Sequence, residues 1–95
     1  MEKRDIYLEK IKAQIEQYGA KIDGMRGKAA EVSADMKLEY LSQVDKLQGK
    51  KDILKAKYQE LKKSSEGSWE DVKAGTESAW SQLKESFEKA GKHFK

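Results

Sequence analysis

The stretch YGAKIDGMRGK, residues 18–28, decides the fold. It holds three of the seven glycines of a 95-residue chain that has no proline, and each glycine costs a helix about 1 kcal/mol relative to alanine. Read as a turn, residues 23–27 divide the first two thirds of the chain into two helices and lead to a monomeric three-helix bundle. Read as helix, they belong to one rod.

The apolar pattern favours the rod. Leu8, Ile11, Ile15, Tyr18, Ile22, Met25, Ala29, Val32 and Met36 follow one another in alternating steps of three and four, the spacing of a coiled-coil seam. The seam crosses Gly19, Gly24 and Gly27 without losing phase. A turn ordinarily resets the phase and supplies an N-cap for the next helix. Neither sign is present, so a continuous but locally weak helix is expected.

Beyond Met36 the seam runs through Tyr40, Val44, Leu47, Leu54, Tyr58 and Leu61, with Lys51 at one position. Val32, Met36 and Tyr40 are spaced four and four, a stutter that locally changes the supercoil. The rod is predicted over 1–63, ending on Lys62 and Lys63, which suit the negative end of the helix dipole. SSEGS, residues 64–68, reverses the chain. Ser68 and Asp71 resemble a capping box, opening a second helix over 69–94 with the stripe Trp69, Val72, Thr76, Ala79, Trp80, Leu83, Phe87, Ala90 and Phe94.

So short a connection makes the two helices antiparallel neighbours. Leu47, Leu54, Tyr58 and Leu61 are expected to pack against Trp69, Val72, Trp80, Leu83 and Phe87, with Leu54 near Thr76. Charge agrees: residues 46–63 carry seven lysines and two acids, and residues 66–77 four acids and one lysine. In this register Gly75 falls near Ala56 and Gly91 near Tyr40, where a small residue either admits close approach or a large ring or is simply neutral. The expected class is therefore all-α, a long coiled-coil helix followed by a shorter antiparallel helix.

At about 1.5 Å per residue the second helix reaches back only to Met36. That leaves Leu8, Ile11, Ile15, Tyr18, Ile22, Met25, Val32 and Met36 without a partner in the chain, and leaving such a stripe wet forfeits several kcal/mol at about 25 cal/mol per Å². These eight positions are the expected oligomer interface, in a homodimer, a higher oligomer or a filament. A C2 dimer of antiparallel rods, each N-terminal half lying on the other copy's hairpin, satisfies them.

Composition narrows the function. With 20 basic and 17 acidic residues interleaved and a net charge of +3, the chain lacks the dense basic footprint of a nucleic-acid binder; KLQGKKDILKAK, residues 46–57, is read as a solvated face. There is no cysteine, which removes disulfides and thiolate chemistry. The start lacks the apolar run of a signal peptide, giving an expectation of a cytoplasmic protein, and no stretch approaches the length of a membrane span. His93 stands alone near the C-terminus, and neither Glu-x-x-His pairs nor a phosphate loop occurs. No catalytic residue, metal site or cofactor is expected. The chief alternative to self-association, structural or stress-related, is a membrane surface, met by Trp69, Trp80, Leu83, Phe87 and Phe94 between Lys73, Lys84, Lys89 and Lys92; weak nucleic-acid binding ranks third.

SWEDVKAGTESAWSQLKESFEKAGKHFK, residues 68–95, preceded by AEVSADMKLEYLSQVDKLQGKKDILKAKYQELKK, residues 30–63, resembles small bacterial coiled-coil proteins, some of them described as stress-response proteins. The resemblance covers most of the chain and rests on its Trp-Glu-Asp to Ala-Trp segment. It implies a helical, non-enzymatic protein with a stress-related role and no catalytic residues.

Overall fold

The computed structural model describes residues 3–93, with the side chain of His93 outside the description. Phe94, the last member of the aromatic stripe, also lies outside the described residues. The chain is all-α: α1 spans Lys3–Gly27, a 3-10 turn Lys28–Glu31, α2 Ala34–Lys63 and α3 Trp69–His93. They lie antiparallel in succession as a rod-shaped bundle measuring 51 × 21 × 18 Å.

The hairpin of α2 and α3 forms where expected, with Leu47, Leu54, Leu61 and Leu83 buried between them. Thr76, fully buried, donates to its own helix at the carbonyl of Val72, 2.9 Å away, with the carbonyl of Lys57 at 3.4 Å. That neighbour lies within one helical turn of the expected Leu54. The capping box is replaced by other bonds. The Ser68 hydroxyl accepts from Ser65 at 3.2 Å, and its carbonyl accepts the Val72 amide at 3.0 Å as the first bond of α3.

The single helix expected over 1–63 is not formed: its described residues, from Lys3 on, make two helices. The break falls just after the glycines, and none of the glycines needs a special backbone: no described residue has a positive φ. Gly27 is still right-handed helical at φ −61°, ψ −31°. Val32 (φ −79°, ψ 138°) and Ser33 (φ −59°, ψ 152°) are extended and reverse the chain. The Val32 amide donates to Ala29 at 3.2 Å and the Met36 amide to Ser33 at 3.0 Å.

The seam keeps phase because the turn is itself part of the core. Met25, Ala29 and Val32 pack onto a cluster of Ile22, Tyr40, Val44, Leu47 and Ala90, and the Tyr40 hydroxyl donates to the Met25 carbonyl at 2.6 Å. Apolar residues are needed on both sides of the reversal to close that end. A partner within the same chain also spares the loss of translational freedom that a second copy would impose.

A second cluster, Ile11, Tyr18, Leu54, Ala79 and Leu83, fills the other half, and Phe87 packs against both. α1 and α3 run parallel, and no described Cα of one comes within 8 Å of the other. Large rings fill the space: Tyr18 and Phe87 stack with centroids 4.9 Å apart at 36°. A Cβ added at Gly75 or Gly91 would meet nothing within 4 Å, which fits the neutral reading of these glycines rather than close approach.

Candidate functional site

The densest polar arrangement closes the bundle where α1 begins and α2 ends. The last turn of any helix leaves carbonyls without intrahelical donors. Here Arg4, in the first turn of α1, supplies them. Its Nη2 donates to the carbonyl of Ser64 at 2.6 Å and lies 3.3 Å from those of Leu61 and Lys62. The cation also meets the negative end of the α2 dipole. Ser64 adds its own hydroxyl to the Leu61 carbonyl at 2.7 Å.

The same guanidinium stands 4.6 Å from the centroid of the Trp69 ring, a cation–π contact worth about 0.5–2 kcal/mol. Trp69 meets Tyr7 edge to face, centroids 6.0 Å apart at 79°, the geometry favoured by ring quadrupoles. Lys73 lies 4.9 Å from the Tyr7 ring, and Lys10 5.3 Å from that of Trp80. The Tyr7 hydroxyl donates to Glu77 Oε1 at 3.2 Å. Burial pushes the ionisation of this hydroxyl well above the ordinary tyrosine range, and the carboxylate of Glu77 pushes it further by charge and hydrogen bond.

This arrangement is a clasp. Its rings and charges face each other across α1 and α3, so their interactions hold the helices together. The Trp80 Nε1 is buried without a hydrogen-bond partner. Among the described residues, no group of three or more His, Asp or Glu is placed to hold a metal, and no helix is long and apolar enough to cross a membrane.

The residues expected at an oligomer interface have partners within the chain. Ile11, Tyr18 and Ile22 are buried, Ile15, Met25 and Val32 pack against the core, and Leu8 is half-buried. Met36 alone remains 37% exposed. Of the hairpin residues, Leu47, Leu54, Leu61 and Leu83 are buried, Tyr58, Trp80 and Phe87 pack on the core, and Trp69 and Val72 are half-buried. Of the aromatic face considered for a membrane, the described residues Trp80, Leu83 and Phe87 are thus turned toward the core of the closed bundle, and Trp69 is half-buried.

Arg4 and Tyr7 are absent from the sequence expectations, which begin the seam at Leu8. A signal is present in the sequence: Arg4, Ile11 and Tyr18 are spaced by sevens, so Arg4 continues the seam one heptad earlier with a charge in an apolar position. Comparison with protein-family models, with curated proteins and with solved structures finds no match to the chain. The functional reading therefore rests on its own residues.

Proposed function

We propose that this chain is a non-enzymatic helical protein that acts by associating with further copies of itself. The observation that carries the reading is the end of the seam. Its three-and-four spacing passes unbroken through the reversal at 28–33 and arrives at Met36, which is 37% exposed and belongs to neither core cluster. The closed reversal uses Met25, Ala29 and Val32 but not Met36; a helix meeting another copy would give Met36 a partner.

The clasp supports the non-enzymatic part. Arg4, Tyr7 and Glu77, whose chemistry would otherwise suit a binding site, are engaged in holding α1 to the hairpin. A stress-related, cytoplasmic setting belongs to the same proposal, the former by the resemblance of residues 30–63 and 68–95 to small bacterial coiled-coil proteins, some of them described as stress-response proteins. Sedimentation equilibrium over a wide concentration range tests the reading. The expected outcome is a mass that rises from monomer to dimer; one that stays monomeric up to millimolar concentration overturns it.

A further inference from the structure

We infer that the copies associate by exchanging α1: the reversal at Lys28–Ser33 straightens, and each α1 docks on the α2–α3 hairpin of a second copy. This rests on the proposed self-association and adds its mode.

The backbone of the reversal is close to the straight form. Gly27 is already helical and Lys28–Glu31 form a 3-10 turn, so only Val32 and Ser33 depart from helix. Their φ values of −79° and −59° suit a helix as they stand; rotation about ψ alone takes them to the helical value of about −42°. Gly27 and Ser33, which precede the 3-10 turn and α2, make no side-chain cap, and the Tyr40 hydroxyl on the Met25 carbonyl joins α1 to α2 at this end. The main-chain groups left open at the end of α1 and the start of α2 would gain partners in a continuous helix.

The seam has the symmetry that exchange requires. Its positions on α1 and α2 mirror one another about a point between Ala34 and Asp35: Leu8 answers Leu61, Ile11 Tyr58, Ile15 Leu54, Tyr18 Lys51, Ile22 Leu47, Met25 Val44 and Ala29 Tyr40. The closed chain obeys this register closely. Arg26 pairs with Asp45 at 3.1 Å, and a Cβ on Gly19 would meet Lys51 at 3.8 Å. Two straightened copies can keep every one of these pairings with a two-fold axis at the mirror point.

The exchanged dimer retains the clasp as well, with Arg4 of one copy on the α2 end of the other. Its new contacts lie beside the axis, where Val32 of one copy comes opposite Met36 of the next. This gives the exposed Met36 a partner and accounts for the four-four step on which it sits. Closed and exchanged forms thus differ chiefly in the reversal, the balance expected of exchange between identical elements.

The test uses the full chain in three forms. Ser33→Pro suits the closed reversal, since φ is already −59°, Val32 before it is extended and Met36 bonds to the carbonyl of residue 33 rather than to its amide; inside a straight helix proline is excluded. Ser33→Ala raises helix propensity at the same place and leaves the Val32–Met36 contact intact. In the third form, Arg26→Cys and Asp45→Cys put two thiols into a cysteine-free chain, and a short bismaleimide joins them.

We expect Ser33→Pro to keep its helix content and weaken dimerisation by at least about a hundredfold. The Ser33→Ala variant should strengthen it. The isolated dimer of the thiol form, treated with the bismaleimide and then denatured, should run as two joined chains. A dimer that denatures to single chains carrying an internal link overturns exchange and leaves self-association standing. A dimer that Ser33→Pro does not weaken also overturns it. Absence of any dimer in all forms overturns both.

Discussion

The chain reverses twice, and the two reversals are built on opposite principles. At 64–68 the apolar seam stops, serines and a glycine take over, and polar groups hold the geometry: Ser64 and Arg4 on the carbonyls ending α2, Ser65 on Ser68, and Trp69 beneath the guanidinium. At 28–33 the seam continues, neither Gly27 nor Ser33 is capped by a side chain, and apolar packing of Met25, Ala29 and Val32, tied by the Tyr40 hydroxyl on the Met25 carbonyl, holds the geometry. One turn is a polar lock and the other an apolar fold of the core on itself. A polar lock is specific to its conformation, whereas apolar packing tolerates any arrangement that buries the same faces.

The largest effect should come from the apolar reversal. Ile22 is fully buried beside it, and Ile22→Ala is expected to cost about 2–5 kcal/mol in chemical denaturation. A loss below 1 kcal/mol would mean that packing does not hold this turn. Arg4→Ala attacks the polar lock. It removes the carbonyl bonds and the cation–π contact, for an expected loss of about 1–3 kcal/mol. Hydrogen exchange should then rise in the last turn of α2 and leave residues 28–33 unchanged; an equal rise at both ends would erase the distinction.

A smaller change of opposite sign is expected at Gly24, which has helical backbone and open space where a Cβ would stand. Gly24→Ala should stabilise the fold by up to about 1 kcal/mol. A loss there would show strain that the contacts of α1 do not reveal. The smallest effect is at Tyr7 and appears only in alkali. Its folded ionisation lies above the ordinary value of 10.0, so the neutral form is favoured by folding. That contribution is present below pH 10 and is lost as the pH rises above it. Tyr7→Phe should flatten this alkaline limb of a denaturation series, and an unchanged limb would assign it to other groups.

The two turns also explain what could be read in advance. SSEGS announces itself because a polar lock needs serines, and the first residue of α3 followed directly from it. The reversal at Val32 and Ser33 was illegible because residues that pack inside a turn obey the same three-and-four spacing as residues along a rod. The glycines at 19, 24 and 27 drew attention to the right region, yet the backbone turns a few residues later. The clasp was partly legible: Trp69 and Trp80 were identified as anchors on the hairpin. Arg4 and Tyr7, which complete it, come from the far end of the chain, and their roles depend on α1 returning alongside α3.

What the sequence alone determined is the all-helical class, the α2–α3 hairpin with its buried leucines, and the seam that makes α1 amphipathic. These follow from local spacing and from turn chemistry carried by adjacent residues. Where α1 lies was decided by tertiary structure. The seam demands burial against a complementary face without naming the molecule that provides it, and closing on the chain's own hairpin supplies that face without ordering a second molecule. The three-dimensional arrangement also brought Arg4, Tyr7, Trp69 and Glu77 together, because a contact between residues some sixty to seventy positions apart exists only once two helices have reversed.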